Sequence, residues 1–243
     1  MAEITCLTNH WVFSLLCFCN GASQFHGHAQ LMATRVPVPS QALLDAQSQA
    51  YAAQHPGHTY AWDMLNAHRE AGLLRACAGS LEDAEAFRRG AGEGRSRCWL
   101  AACLTPIKDM EVLVAVETQP AVQADQACGN AARGGLTCPA FVHGLHSALR
   151  AIIDTFGMNS FNVGILSMPT SSDAADTLGN LPCSMLLARV VSRGHSSKVA
   201  SDYGCLEVVG GASIGNTDPF RVIDAVDQQL GDYSIPLAPA VPS

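Results

Sequence analysis

Two histidines and a glutamine recur at alternate positions near the start of the sequence, as His26, His28 and Gln30. A β-strand would put all three on one face, because side chains alternate between the faces of a strand. A neutral imidazole is a good nucleophile, and a backbone carbonyl that binds the proton on one ring nitrogen leaves the other lone pair free. A glutamine amide can donate to an oxygen that gains negative charge. The pattern therefore indicates attack on a phosphoryl group by His28, with Gln30 steadying the charge.

Small residues precede this triplet and suit an anionic ligand. Gly21 follows Asn20 in a predicted turn, and Ser23 stands two residues further on. Backbone N–H groups of a turn and a serine hydroxyl are suitable partners for a phosphate. The alternative is a chance His-x-His pattern, in which the histidines are merely solvated or buried on a strand.

This lead-in and triplet resemble the nucleotidyl-transfer motif of the galactose-1-phosphate uridylyltransferase branch of the histidine-triad superfamily, in which glutamine replaces the third histidine. The resemblance implies that His28 forms a covalent nucleotidyl-histidine, which then passes its nucleotidyl group to a sugar phosphate, phosphate or water. It implies substrate contacts for Gly21, Ser23 and Asn20, and Gln30 would hold the transferred phosphoryl group. The implied substrates are a nucleotide sugar and a sugar phosphate.

The later part of the sequence resembles the second, degenerate half that members of this family carry. The resemblance implies an α+β fold of histidine-triad-like antiparallel sheets with packed helices. It also implies substrate-binding roles for Asn162, in a predicted strand, and for Glu207, which would accept hydrogen bonds from sugar hydroxyls. A surface glutamate without a ligand is the alternative for Glu207.

The sequence departs from the family pattern in ways that bear on metal binding and activity. His26 matches a metal ligand of some members, but the two cysteines and the histidine that complete their site have no visible counterpart in the 25 residues before it. We therefore predict no metal, with zinc possible only if ligands come from elsewhere. His143 and His146 are three residues apart on a predicted helix, and we interpret them as a solvated face rather than a metal site. Arg189 ends a Leu-Leu-Ala-Arg segment where bacterial members keep a second His-x-His.

Composition limits the classes of partner. The formal net charge is -7, and the 14 Lys and Arg residues are scattered, so we predict no nucleic-acid binding. Hydrophobic residues make up 48% of the chain, which is enough for a packed core. Ten cysteines occur without a Cys-x-x-Cys pair, which favours a reducing, cytoplasmic location, although an organelle remains open. The apolar run Trp11–Cys19 is too short to cross a bilayer and lacks a basic flank, so we predict a buried strand and no membrane association.

Hydrophobic periodicity and Gly or Pro breaks predict alternating strands and helices. The predicted strands are Trp11–Cys19, His26–Val36, Cys98–Leu104, Glu111–Val116, Phe161–Leu166, Met185–Val191 and a short Tyr203–Val209. The predicted helices begin at the caps Ser40 and Asp218 or cover Ala61–Leu74, Leu81–Arg89 and Cys138–Phe156. His68, on one of these helices, is expected at the surface.

These elements divide the chain into a partial histidine-triad-like half at 1–75, a linker at 76–97, a degenerate half at 98–232 and a flexible tail at 233–243. A half that lacks its early strands exposes a sheet edge. The chain is therefore expected to be either a truncated product or a protein that pairs with a second chain, for example as a homodimer. Two functions compete with nucleotidyl transfer: binding without turnover, and simple nucleotide hydrolysis.

Overall fold

A computed structural model describes residues 10–16, 28–34, 39–91, 96–118, 136–158, 160–169, 184–194 and 215–237. These residues form eight strands and five α-helices. The strands are β1 (His10–Leu16), β2 (His28–Thr34), β3 (Leu74–Ala78), β4 (Arg97–Ala102), β5 (Val112–Thr118), β6 (Ser160–Pro169), β7 (Ser184–Gly194) and β8 (Ser234–Ile235). The helices are α1 (Pro39–Gln54), α2 (Tyr60–Glu70), α3 (Leu81–Arg88), α4 (Pro139–Arg150) and α5 (Pro219–Leu230). A π-helical turn (Ala151–Thr155) extends α4, and a 3-10 turn (Gly231–Tyr233) follows α5.

Six of the strands form one antiparallel sheet in the order β6-β7-β5-β4-β3-β8. β1 and β2 form a separate antiparallel hairpin, and β1 lies beside β6 at the edge of the large sheet. The hairpin that carries the His-x-Gln pattern therefore continues the six-stranded sheet at its β6 side.

One face of the large sheet packs against α4 and α5. Phe141 and Ile152 from the α4 region lie against Leu100 and Val114 of the central strands, and all four are at most 1% exposed. Burying a large apolar side chain in this way stabilises the fold by about 1.5–3 kcal/mol. Gly144 permits close contact at this interface, since a Cβ there would lie 2.8 Å from the Cys98 sulfur.

The opposite face packs against α1, α2 and α3. Leu65 of α2 and Ala84 of α3 belong to this second core with Leu187 of β7. Trp62 meets Trp99 of β4 edge to face, with ring centroids 5.3 Å apart. The six-stranded sheet is thus covered on both faces, which explains why its central strands read as almost continuous apolar runs.

Local signals fix several helix ends. The Ser80 side chain accepts a hydrogen bond from the Asp83 backbone N–H at the start of α3, and Asp218 accepts one from Phe220 N–H at the start of α5. Asp218 thus acts as the predicted cap, with Pro219 as the first helical residue. Helix α1 begins at Pro39, so Ser40 lies inside its first turn and not at the predicted cap position.

The predicted α+β class with antiparallel sheets and packed helices is confirmed. The strand β3 crosses the first boundary of the predicted linker at 76–97, and α3 lies where a short helix is predicted within it. The α2 helix ends earlier than predicted, since Gly72 adopts φ 75°, a left-handed conformation that favours glycine. Ser234–Ile235, within the tail predicted at 233–243, pairs with β3.

Candidate functional site

The hairpin places His28 and Gln30 near the start of β2. His28 is opposite Leu16, and Gln30 is opposite Ser14 of β1. Positions 28 and 30 belong to the same face of the strand by its period of two. The strand predicted for this motif is therefore present from His28 onward. His26 and the lead-in residues Asn20, Gly21 and Ser23 lie outside the described residues.

Asn162 lies on β6, the strand beside the hairpin. It is half-buried and opposite Val191 of β7. Its position alternates with that of Phe161, which faces α4 and α5, so Asn162 belongs to the face that α1, α2 and α3 cover. The structure thus puts Asn162 in the strand next to the motif hairpin. Glu207 lies outside the described residues.

A buried ion pair between Glu111 and Arg189 lies on the same face of the sheet as Asn162. Arg189 stands two positions from Val191, the residue of β7 opposite Asn162. The Glu111 side chain is 0% exposed, and the Arg189 side chain is 28% exposed. Arg189 Nε donates to Glu111 Oε1 over 2.5 Å, and the Ile107 backbone N–H donates to Glu111 Oε2 over 2.6 Å. Because both carboxylate oxygens have partners, this buried charge is compensated.

Cys103 and His68 are both buried near the end of β4. Burial, and then the negative charge of Glu111, raises the pKa of the Cys103 thiol, which keeps it protonated at neutral pH. His68 is 4% exposed. One ring nitrogen, Nδ1, lies 2.7 Å from the Met64 carbonyl, and the Leu104 backbone N–H donates to Nε2 over 3.1 Å. The prediction of a surface His68 is therefore wrong, because this ring ties α2 to the end of β4.

A cavity of about 230 Å³ lies beside Glu111. Asp109 organises one wall, because its carboxylate accepts hydrogen bonds from the backbone N–H of Asn216 (3.1 Å) and from the backbone N–H (2.9 Å) and hydroxyl (2.9 Å) of Thr217. These bonds attach the turn between β4 and β5 to the segment that leads into α5. Neither Asp109 nor Glu111 is predicted as a site residue from the sequence, although an acidic residue directly before an apolar strand is a usable signal.

The histidines of α4 have different environments. His143 is half-buried and stacks on Tyr233, with ring centroids 3.8 Å apart, whereas His146 is exposed. Burial, and then the charge of His146, lowers the pKa of His143. The predicted solvated face is therefore correct for His146 and wrong for His143, whose ring is an internal packing group.

A polar cluster joins α1 to α2. Tyr51 donates to Asp63 Oδ2 over 2.7 Å, and His58 Nδ1 lies 3.1 Å from the same oxygen. The hydrogen bond to Asp63, then burial, raises the pKa of Tyr51. These contacts connect the two helices and lie away from the hairpin that carries the motif.

In the described part of the chain, no group of three or more His, Cys, Asp or Glu side chains is placed to hold a metal ion. No helix in the described ranges is both long and apolar enough to cross a membrane.

The fold is similar to those of several solved proteins. A uridylyltransferase structure superposes with a TM-score of 0.57 at 12% identity, covering 92% of this chain and 61% of the other. A GalT-like protein from Arabidopsis thaliana gives a TM-score of 0.51 at 14% identity, covering 90% of this chain and 60% of the other. An ADP-glucose phosphorylase from Arabidopsis thaliana, solved with bound ADP-glucose, gives 0.50 at 14% identity, covering 90% and 58%.

The chain spans less than two thirds of the length of each of these proteins. No protein-family model matches the sequence, and no curated protein matches it. At such low identity the structural likeness establishes the fold alone. On that ground the expected resemblance is confirmed: this chain has the α+β fold of the uridylyltransferases and GalT-like proteins.

Proposed function

We propose that the chain transfers a nucleotidyl group between a nucleoside-diphosphate sugar and a hexose 1-phosphate or phosphate, through a covalent nucleotidyl-histidine at His28. The observation that supports this most is the strand β2, which presents positions 28 and 30 on one face in a chain with a uridylyltransferase fold. Neither observation suffices alone, because a His-x-Gln strand is common and one fold serves several functions.

In the proposed reaction, an imidazole nitrogen of His28 attacks the α-phosphorus of the nucleotide sugar. The new N–P bond forms as the P–O bond to the leaving sugar phosphate breaks, and that oxygen carries the electron pair away. A phosphate oxygen of the acceptor then attacks the same phosphorus and releases the imidazole. Gln30 would donate to a non-bridging oxygen as charge builds, a contribution that is typically worth 10²- to 10³-fold in rate.

The geometry of the chain supports a substrate position at the end of the sheet where β6 carries Asn162. Helix α1 contacts β6 through Gln41 at Ser167, near the C-terminal end of that strand, and only four residues separate α1 from the end of β2. Because His28 stands six residues before Thr34, it would lie roughly 20 Å further along the sheet, toward the end of β6 that carries Asn162. This supports a substrate-binding role for Asn162 at the same end of the sheet as the nucleophile.

The remaining proposed contacts come from the residues of the motif and its second half. Asn20, Gly21 and Ser23 would bind the nucleotide and its phosphates, and Glu207 would accept hydrogen bonds from sugar hydroxyls. The proposed reaction uses no metal, since a zinc site needs about four ligands and His26 is the single candidate that the motif offers.

A labelling experiment tests the proposal. The protein is incubated with UDP-glucose or ADP-glucose labelled at the α-phosphorus, quenched in alkali, and assayed for protein-bound label that acid releases. We expect label on the wild type and on His146→Ala, an exposed control histidine, and none on His28→Ala. Label that persists in His28→Ala contradicts the assignment of the nucleophile.

The two competing functions give other results in the same assay. Release of nucleoside monophosphate without an acceptor, at the rate of label turnover, indicates a hydrolase. Binding of the nucleotide sugar in calorimetry without any label indicates a binding protein.

We also propose a reducing, cytoplasmic location and a possible homodimer. Four cysteines of the described residues, Cys77, Cys98, Cys103 and Cys138, are free and buried. Burial, and then the neighbouring Cys77, raises the pKa of Cys98, which keeps that thiol unreactive. Size-exclusion chromatography with light scattering measures the dimer directly, and a monomer at all concentrations would contradict it.

A further inference from the structure

Gln41 makes an unusual set of contacts for a glutamine on a helix. It is 2% exposed, although it belongs to the first turn of α1. Its Nε2 donates to the Ser167 carbonyl over 2.7 Å, and its Oε1 accepts from the Ser167 backbone N–H over 3.0 Å. Nε2 also donates to Asp45 Oδ1 over 2.6 Å, one helical turn further along α1.

The two bonds to Ser167 reproduce the pattern that a neighbouring strand would make. In an antiparallel ladder, a hydrogen-bonded pair of residues exchanges one N–H···O bond in each direction. The side-chain amide of Gln41 makes the same exchange with Ser167, a residue of the outermost strand of the six-stranded ladder. β6 has ten residues and β1 beside it has seven, so part of this edge extends beyond the hairpin.

The position of Gln41 in the chain connects this edge to the motif. Six residues separate it from Thr34, the last residue of the strand that carries His28. The bonds to Ser167 therefore fix the start of α1 on β6, and through it the end of β2. Buried polar groups that are fully paired in this way specify one arrangement, because any displacement leaves them unpaired at a cost.

We propose that Gln41 is a positioning residue that holds the hairpin bearing His28 against β6 by substituting for a strand partner at Ser167. The inference rests on the proposed function only for its effect on catalysis. Its structural part concerns the attachment of the hairpin and can be tested without any substrate.

Hydrogen exchange tests the structural part. In Gln41→Met, which keeps the length of the side chain but neither donates nor accepts strongly, we expect amides of residues 10–16 and 28–34 to exchange roughly ten-fold faster, the loss of about one net hydrogen bond. Amides of β4 and β5 should be unchanged. The control is Gln47→Met, at an exposed position on the same helix. Equal acceleration throughout the sheet, or none in the hairpin, overturns the proposal.

A second variant, Gln41→Glu, makes the same contacts depend on pH. In Gln41→Glu, a neutral carboxyl can donate to the Ser167 carbonyl and accept from its N–H, whereas a carboxylate cannot donate and is repelled by Asp45. Among the described residues, Asp45 and the Ser167 backbone are the polar groups in contact with this amide. Compared with the wild type at the same pH, we expect unchanged exchange in the hairpin of Gln41→Glu at pH 5 and faster exchange at pH 8, a difference that Gln41→Met and Gln47→Glu do not show. A ratio of Gln41→Glu exchange to wild-type exchange that is the same at both pH values contradicts the ladder-like pairing.

The labelling assay distinguishes a failure of this inference from a failure of the proposed function. If wild-type His28 is labelled by a nucleotide sugar, Gln41→Met should slow the labelling roughly ten-fold, and Gln47→Met should not. Labelling of Gln41→Met at the wild-type rate overturns the positioning role. If the wild type is not labelled, the proposed function fails, and the exchange experiment still decides whether Gln41 anchors the hairpin.

Discussion

Two antiparallel hairpins lie side by side in this protein, and they use polar residues differently. The β1–β2 hairpin carries His28 and Gln30 on its second strand. The β6–β7 hairpin belongs to the large sheet, and its second strand carries Arg189, paired with the buried Glu111. Arg189 ends the Leu-Leu-Ala-Arg segment of this strand.

This difference indicates which hairpin has polar side chains available for catalysis. A guanidinium held by a buried carboxylate is committed to the stability of the fold, because removing either partner leaves an uncompensated charge. The β7 strand is also covered by helices on both faces, through residues such as Leu187 and Val190. We therefore expect substitutions in β7 to change stability, and substitutions in β2 to change the proposed reaction.

The largest predicted effect comes from breaking the polar pair of β7. Arg189→Leu leaves the Glu111 carboxylate buried with a single remaining partner, the Ile107 N–H, and should lower the free energy of unfolding by about 4 kcal/mol. Urea denaturation measures this loss. The double variant Glu111→Leu with Arg189→Leu is the control and should recover most of the stability, since no charge then remains buried. A single variant as stable as the wild type would mean that the pair is solvated.

The next effect concerns the β2 strand. Gln30→Leu removes the amide that is proposed to donate to the phosphoryl oxygen, so the rate of His28 labelling should fall roughly hundred-fold, about 2.7 kcal/mol in the barrier. Quench-flow labelling measures the rate. Gln47→Leu on α1 is the matched control, because that glutamine is exposed. An unchanged rate in Gln30→Leu would remove Gln30 from the proposed mechanism.

A smaller effect concerns two helices that are held in different ways. Helix α1 is attached through Gln41, whereas α5 depends on its cap, since Asp218 accepts a hydrogen bond from Phe220 N–H. Asp218→Ala should lower the free energy of unfolding by about 1 kcal/mol, measured by urea denaturation. Thr59→Val at the start of α2 is the control, because the Thr59 side chain makes no capping bond, and it should leave stability nearly unchanged.

The smallest predicted effect is a dependence of stability on pH that arises at His143 of α4. The pKa of His143 is lowered in the fold, so below the ordinary value of 6.5 the unfolded chain binds a proton that the folded ring resists. This contribution to stability is present above pH 6.5 and is lost as the pH falls. Urea denaturation at pH 7.5 and 5.5 should show a loss that is reduced in His143→Phe. An identical loss in both proteins would assign the dependence to other groups.

The sequence predicted those elements whose signals are local. The apolar spacing of Phe141, Leu145 and Leu149 predicted α4, and the alternation around His28 predicted β2. β3 was missed because its sequence, Leu-Arg-Ala-Cys-Ala, has no clear alternation and directly follows a helical pattern. Tertiary pairing with β4 and β8 makes it a strand.

The candidate site was likewise predictable only where its signals are local in the sequence. The chemistry of His28 and Gln30 depends on residue type and a spacing of two, which can be read directly. The Glu111–Arg189 pair joins residues 78 positions apart, and Gln41 reaches Ser167 across 126 positions, so both contacts arise only when the sheet forms. A helical glutamine also resembles an ordinary surface residue until its burial is known.

The most direct test of the central claim is the mass and position of a trapped adduct. After brief incubation with UDP-glucose and an alkaline quench, intact-protein mass spectrometry should show the addition of one uridylyl group, and fragmentation should place it on His28. Incubation with ADP-glucose should place an adenylyl group on the same residue if the site accepts that base. An adduct on any other residue, or no adduct while the nucleotide sugar is bound or hydrolysed, would contradict the account.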